Sequence, residues 1–179
     1  MNLLLDPGHG GQDSGAFVNN TKESQLNLRL CLLTAGYVLD GSGQNKVNLT
    51  RYTDKDLPPP QRRAAIQSQP FDCFICVHHN AASSPNVEGF ESFIRHVPGV
   101  GDEELQASFH KAIAPLLAKW GVRDRGAKRY NFRVLAEKKC PGLFVEVGFM
   151  TSPGEYARLI DRQYQAEWAM ALADFIRSL

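Results

Sequence analysis

Four residues of this sequence carry chemistry that packing alone does not ask for: His9, Glu23, His78 and Glu146. His9 stands in "LLLDPGHGGQDSGA", where an apolar run stops at Asp6 and Pro7 and an imidazole follows on glycine-rich backbone. Glu23 opens a helical pattern, His78 closes the apolar run "FDCFICVHHN", and Glu146 interrupts "FVEVGF". A carboxylate inside an apolar strand is costly unless a cation or a chemical role compensates it. Two imidazoles and a carboxylate are the donors of a catalytic zinc, which takes three protein ligands and keeps a fourth position for water. A second carboxylate nearby is then the general base for that water. Each residue also has a plainer reading. A glutamate at a helix start favours the positive end of the dipole, and histidines end strands as ordinary polar residues.

The elements that must position these residues alternate between strand and helix, which predicts an α/β fold with a mostly parallel sheet. "NLLLD" is the first strand. Leu26, Leu30, Leu33 and Tyr37 recur at helical spacing from Glu23 to about Leu39, and "GSGQN" breaks that helix. "KVNLTR" is the second strand, a proline-led helix follows, and "FDCFICVHHN" is the third strand. "VEGFESFIRH", "NFRVL" and "GLFVEVGF" complete about six strands in one twisted sheet with helices on both faces. Glu103 to Trp120 is an amphipathic helix that Pro115 should kink. Ser152 and Glu155 form a capping box at the next helix, and the last helix runs from about Arg162. In open sheets of this kind ligands bind beyond the carboxyl ends of the strands, where His9, His78 and Glu146 fall. The glycines around His9 let the chain turn it toward a metal.

With 179 residues, no repeat and no linker, the whole chain, 1–179, reads as one domain. A net charge of +1 favours neither nucleic acid nor an anionic membrane as a partner. No segment has the length and hydropathy to insert in a membrane. Met1 and Asn2 lead straight into a strand, without the features of a signal peptide. Cys73 and Cys76 are spaced like a redox pair, but three residues apart on a strand they face opposite sides and read as buried core.

The ordered motifs resemble those of the zinc-dependent N-acetylmuramoyl-L-alanine amidases of bacterial cell-wall hydrolases and phage endolysins. "LDPGHGGQDSGA" is similar to the family's opening motif, with Glu23 where its second metal ligand belongs. "LTRYTDKDL" followed by Arg63, "CVHHNAA", "GFESF", "RGAK" and "FVEVGFMTS" match further motifs in order. The resemblance implies His9, Glu23 and His78 as zinc ligands and Glu146 as the catalytic carboxylate. It implies hydrolysis of the amide between the lactyl group of N-acetylmuramic acid and L-alanine in peptidoglycan. A chain made in the cytoplasm, or a trimmed domain, would then act on the cell wall. The other readings are a zinc peptidase cutting elsewhere in the stem peptide, and a wall-binding relative without activity.

The departures are informative. His79 stands where the family has alanine, and adjacent strand residues cannot easily reach one ion, so register favours His78. Gln67 and Ser68 replace the alanine and asparagine after Arg63, and Ser152 replaces an asparagine. Asn80, Glu91, Arg125 and Lys128 are candidates for the substrate groove. Some relatives carry a long insertion after the third-strand histidine, forming a helix that plugs the zinc site until a partner displaces it. Here only "HNAASSPNVE" separates His78 from Gly89, so no obligatory activator is expected, and the chain is also expected to be a monomer.

Overall fold

Leu3, Leu4 and Leu5 are all buried, because the strand they form lies inside a sheet covered on both faces. The structure is a computed structural model describing residues 1–39 and 45–179. The expected helix-breaking glycines at 41 and 43 lie outside the described residues. In chain order the elements are β1 (Asn2–Pro7), β2 (Phe17–Val18), β3 (Thr21–Lys22), α1 (Glu23–Leu39), β4 (Lys46–Leu49), α2 (Pro59–Ile66) and β5 (Cys73–Asn80). There follow β6 (Phe90–Ile94), α3 (Asp102–Trp120), β7 (Asp124–Arg129), α4 (Arg133–Ala136), β8 (Gly142–Phe149), α5 (Pro153–Leu159) and α6 (Arg162–Ser178).

Six strands make one sheet in the order β4-β1-β5-β8-β6-β7. All neighbours are parallel except β6 and β8. From β1 the chain moves outward to β4 and then returns across β1 to β5. The strand order therefore reverses beside β1, and its carboxyl end and that of β5 border the crevice where such sheets hold ligands. The antiparallel β6 runs the other way, which sets Glu91 opposite Glu146 on β8.

The apolar residues of α1, α3 and α6 pack on one face of the sheet, with Phe109, Trp168 and Phe175 at the centre. Ile66 of α2 and Leu135 of α4 pack on the other face, against Leu4, Phe74 and Phe144. Cys73 belongs to the first core and Cys76 to the second, as the strand period requires. Burial pushes the Cys73 thiol up to about 12 and raises that of Cys76 as well, so neither is a nucleophile at neutral pH.

Three expectations are corrected. "NFRVL" is not a strand: Phe132 precedes the one-turn helix α4, which turns Leu135 fully into the second core. The strand is instead "DRGAKR", β7, whose backbone pairs with β6 while its charged side chains stay at the sheet edge. Charges suit an exposed edge, where they discourage further pairing. At α5 Ser152 makes no side-chain cap, and Glu155 accepts from the backbone N–H of Phe149 at 2.7 Å instead. Helix α3 continues through Pro115, which lies on its solvent side where water can serve the carbonyl left without a donor.

Candidate metal centre

The first ligand candidate hangs on the end of β1, and that end is bound by two arginines. Arg51, almost fully buried, donates from Nε to the carbonyl of Pro7 at 3.0 Å. Its Nη2 reaches the carbonyls of Gly8 at 2.8 Å and Ser24 at 2.7 Å, tying the strand end to the start of α1. Arg62 donates to the carbonyl of His9 at 2.9 Å and to that of Pro7 at 3.2 Å, and pairs with buried Asp6. Three successive carbonyls are thus held. Arg63, the arginine matched to the family motif, does not hold this loop and pairs with Glu137 at 2.9 Å.

His9 itself takes the left-handed conformation, with φ of 58°, and Gly10 and Gly11 after it are at positive φ as well. A non-glycine residue held there is strained, and it persists because its surroundings determine it. Glycine is required at two positions for a different reason. A Cβ on Gly8 would lie 2.2 Å from the His78 ring, and one on Gly15 would lie 2.4 Å from Glu23 Oε2 and 2.5 Å from His9 Cδ2. The glycines make room for the cluster itself.

Glu23 is aimed by a two-strand hairpin that the sequence reading did not anticipate. Strands β2 and β3 pair across Asn19 and Asn20, both at positive φ, as a tight hairpin turn requires. The helix begins directly after β3, and the Glu23 carboxylate points back beneath His9. It accepts from Ala16 N at 2.9 Å, Asn27 Nδ2 at 3.1 Å and His79 N at 3.3 Å. His78 Nδ1 lies 2.8 Å from its Oε1, and His9 Nε2 lies 3.2 Å from its Oε2. Burial opposes ionisation of Glu23, but the bonds to His78 and His9 outweigh it and hold the carboxyl well below its usual range.

Ligand atoms of His9, Glu23 and His78 all lie within 4.8 Å of one another, which makes these three a candidate metal site. Asp13 takes both carboxylate oxygens to His9 Nδ1 at 2.9 Å, the outer partner that metal-binding histidines characteristically have. His79 points elsewhere: its Nδ1 is 2.7 Å from Asn27 Oδ1, and burial pushes its pKa down to about 4. Asn27 in turn donates to Glu23, so His79 acts as a buttress behind the cluster.

Glu146 is the register partner of His78 on β8. It is 8% exposed, its Oε2 has no hydrogen-bond partner, and burial followed by the nearby charges of Glu23 and Glu91 raises its pKa well above normal. These residues line a cavity of about 450 Å³. The lining also includes Ile66, Phe132 and Val134 with Arg62, Arg63 and Arg133.

Of the four groove candidates, Asn80 lines this cavity, and its Nδ2 donates to Glu91 Oε1 at 2.9 Å. Glu91, Arg125 and Lys128 form a separate network: Arg125 Nε donates to Glu91 at 2.7 Å and Lys128 Nζ donates to the same oxygen. None of those three lines the cavity. Arg51 and Arg62 were visible only as basic residues in a motif, and Asp13 only as an acid four places after a histidine.

The fold and the site define an α/β domain with a candidate metal centre at the switch point of its sheet. The chain belongs to the N-acetylmuramoyl-L-alanine amidase family, whose profile matches residues 3–178. It is 34% identical over 161 residues to the N-acetylmuramoyl-L-alanine amidase CwlM of Bacillus licheniformis, covering 89% of this chain and 60% of that protein. It is 31% identical to the endolysin of Bacillus phage SPP1, covering 88% of this chain and 58% of that protein. The chain thus spans somewhat over half the length of these relatives. A solved N-acetylmuramoyl-L-alanine amidase from Clostridium difficile 630 superimposes with a TM-score of 0.91 at 28% identity, covering 99% of this chain and 95% of that one.

Proposed function

We propose that this chain is a zinc-dependent peptidoglycan amidase domain that hydrolyses the amide between the lactyl group of N-acetylmuramic acid and L-alanine of the stem peptide. The observation carrying this reading is the convergence of two imidazoles and one carboxylate beside a buried carboxylate oxygen that has no partner. His9, Glu23 and His78 would hold the zinc, a donor set that fits it. When bound, zinc supplies Lewis acidity toward the scissile carbonyl and makes water more acidic. Asp13 keeps the Nδ1 proton of His9 and so leaves Nε2 as the donor atom. The Glu146 carboxylate takes the proton of the attacking water and returns it to the leaving amine.

The chain would work at the cell wall as a monomer. The connection between β5 and β6, residues 81–89, contains turns and no helix, which supports a domain that works without an activator. The test is digestion of purified peptidoglycan by the chain with zinc alone, followed by mass spectrometry. Intact stem peptides with N-terminal alanine are expected, and a chelator abolishes their release. Fragments cut within the stem, or activity only after a partner protein is added, would overturn the respective part of this reading.

A further inference from the structure

Three arginines line the cavity that holds the metal cluster, and they are not in the same state. Arg62 is occupied by Asp6 and the backbone of the His9 loop. Arg63 is paired with Glu137. Arg133 has neither an ion pair nor a hydrogen bond from its guanidinium among the described residues. Glu137 also lines the cavity and Arg63 already answers it, so the charge of Arg133 stands alone.

The backbone that carries Arg133 is nevertheless firmly placed. Phe132, immediately before it, stacks on Phe144 with ring centroids 3.9 Å apart and planes 4° apart. Phe144 stacks in turn on His78 at 4.4 Å. Two residues later Leu135 is fully buried. An unpaired cation is therefore mounted on a fixed turn, over an apolar wall, in the cavity that also holds Glu146. A guanidinium in that setting recognises a planar carboxylate through paired N–H donors, a geometry that an amide cannot match.

We propose that Arg133 binds a carboxylate of the stem peptide and makes the enzyme prefer peptides whose second residue carries a free carboxylate over those in which it is a carboxamide. This rests on the amidase reading above. In an N-acetylmuramoyl peptide the first anionic group beyond the scissile amide and L-alanine is the carboxylate of the second residue. A cavity of about 450 Å³ has room for that much peptide beside the hydrolytic centre.

The experiment compares kcat/KM of the zinc-loaded chain on two muropeptides that differ only in carboxylate or carboxamide at the second residue. The wild type should favour the carboxylate about fivefold, the upper range for a partly exposed ion pair. In Arg133→Met the ratio should fall to near one through loss on the carboxylate substrate, and in Arg133→Glu it should invert. Zinc content and thermal midpoint report whether each variant is folded. A wild-type ratio near one with both peptides cut, or a ratio that survives in folded Arg133→Met, overturns the subsite and leaves the amidase reading standing. Cleavage of neither peptide by the wild type overturns the amidase reading and the subsite with it.

Discussion

Among the described residues, two clusters of histidine and acid differ in access: one opens on a cavity and the other is closed. At the sheet edge, Ser92 of β6 has its Oγ 2.7 Å from His110 Nε2, and His110 Nδ1 is 3.0 Å from Asp124 Oδ2. By residue type and distance that is the arrangement of a serine hydrolase. Yet Ser92 is fully buried, its Oγ also accepts from Gln106 Nε2 at 3.0 Å, and the main cavity does not reach it. Every polar atom in that chain of bonds has a partner, and no substrate carbonyl can approach. The cluster of His9, Glu23 and His78 is the reverse. Its donor atoms face one another across a gap lined by the cavity, and the neighbouring Glu146 oxygen is unpartnered. Other buried atoms also lack a partner, Trp168 Nε1 among them, but the Glu146 oxygen belongs to a residue that lines a cavity a substrate can enter.

The largest effects should separate the two clusters outright. His9→Ala, Glu23→Ala and His78→Ala should each lose most of the zinc, one ion per chain in the wild type, along with hydrolysis. Metal analysis after gel filtration reads this directly. His79→Ala should keep the ion and lose about 1–3 kcal/mol of stability, because it opens a cavity and leaves Asn27 Oδ1 unpaired. Zinc that depends on His79 and not on His78 would reverse the assignment made on β5.

Next comes Glu146→Gln, which keeps the shape and removes the base. Turnover should fall by about two orders of magnitude or more while zinc content stays at the wild-type level. Near-normal turnover would place the base elsewhere, and loss of zinc would make Glu146 a ligand. A smaller effect is expected one bond further out. Asp13→Asn weakens the partner of His9 Nδ1 and should reduce zinc affinity about tenfold, measured by competition with a chromogenic chelator. Unchanged affinity would mean that the strained loop alone positions His9.

The same contrast between complete and incomplete groups explains what was legible in the sequence. Strands β1 and β8 and helices α1 and α6 carry their own signal, an apolar run or a helical period, and they appear where the pattern puts them. His9, Glu23, His78 and Glu146 stood out because each is a polar residue that its element does not need. Strand β7 was hidden because "DRGAKR" has no apolar alternation: its partner β6 makes it a strand. Phe132 and Leu135 suggested a strand because their packing against Phe144 and the second core is settled only by the tertiary fold. Arg125 and Lys128 looked like free cations, and their partner Glu91 is more than thirty residues away. Long-range ion pairs leave no spacing to read.

The smallest effect on activity should come from the edge cluster, and it is the most direct challenge to the comparison. His110 packs edge-on against Phe90 at 5.2 Å, and its two ring nitrogens bridge Ser92 of β6 to Asp124 of β7. His110→Ala therefore removes a clip between two strands and leaves a buried hydroxyl with fewer partners. Stability should drop by about 1–3 kcal/mol, the cost of a lost buried bond, readable as a lower urea midpoint. Turnover by the folded fraction should stay within about twofold, because additive behaviour holds between distant sites with no shared partner. Ser92→Ala should behave alike with a smaller loss, since Gln106 can still donate to the Ser92 carbonyl. A hundredfold fall in turnover for either folded variant, with zinc retained, would mean that the edge cluster acts in the reaction despite its burial. Geometry of residue types would then outrank access, and the distinction drawn between the two clusters would fail.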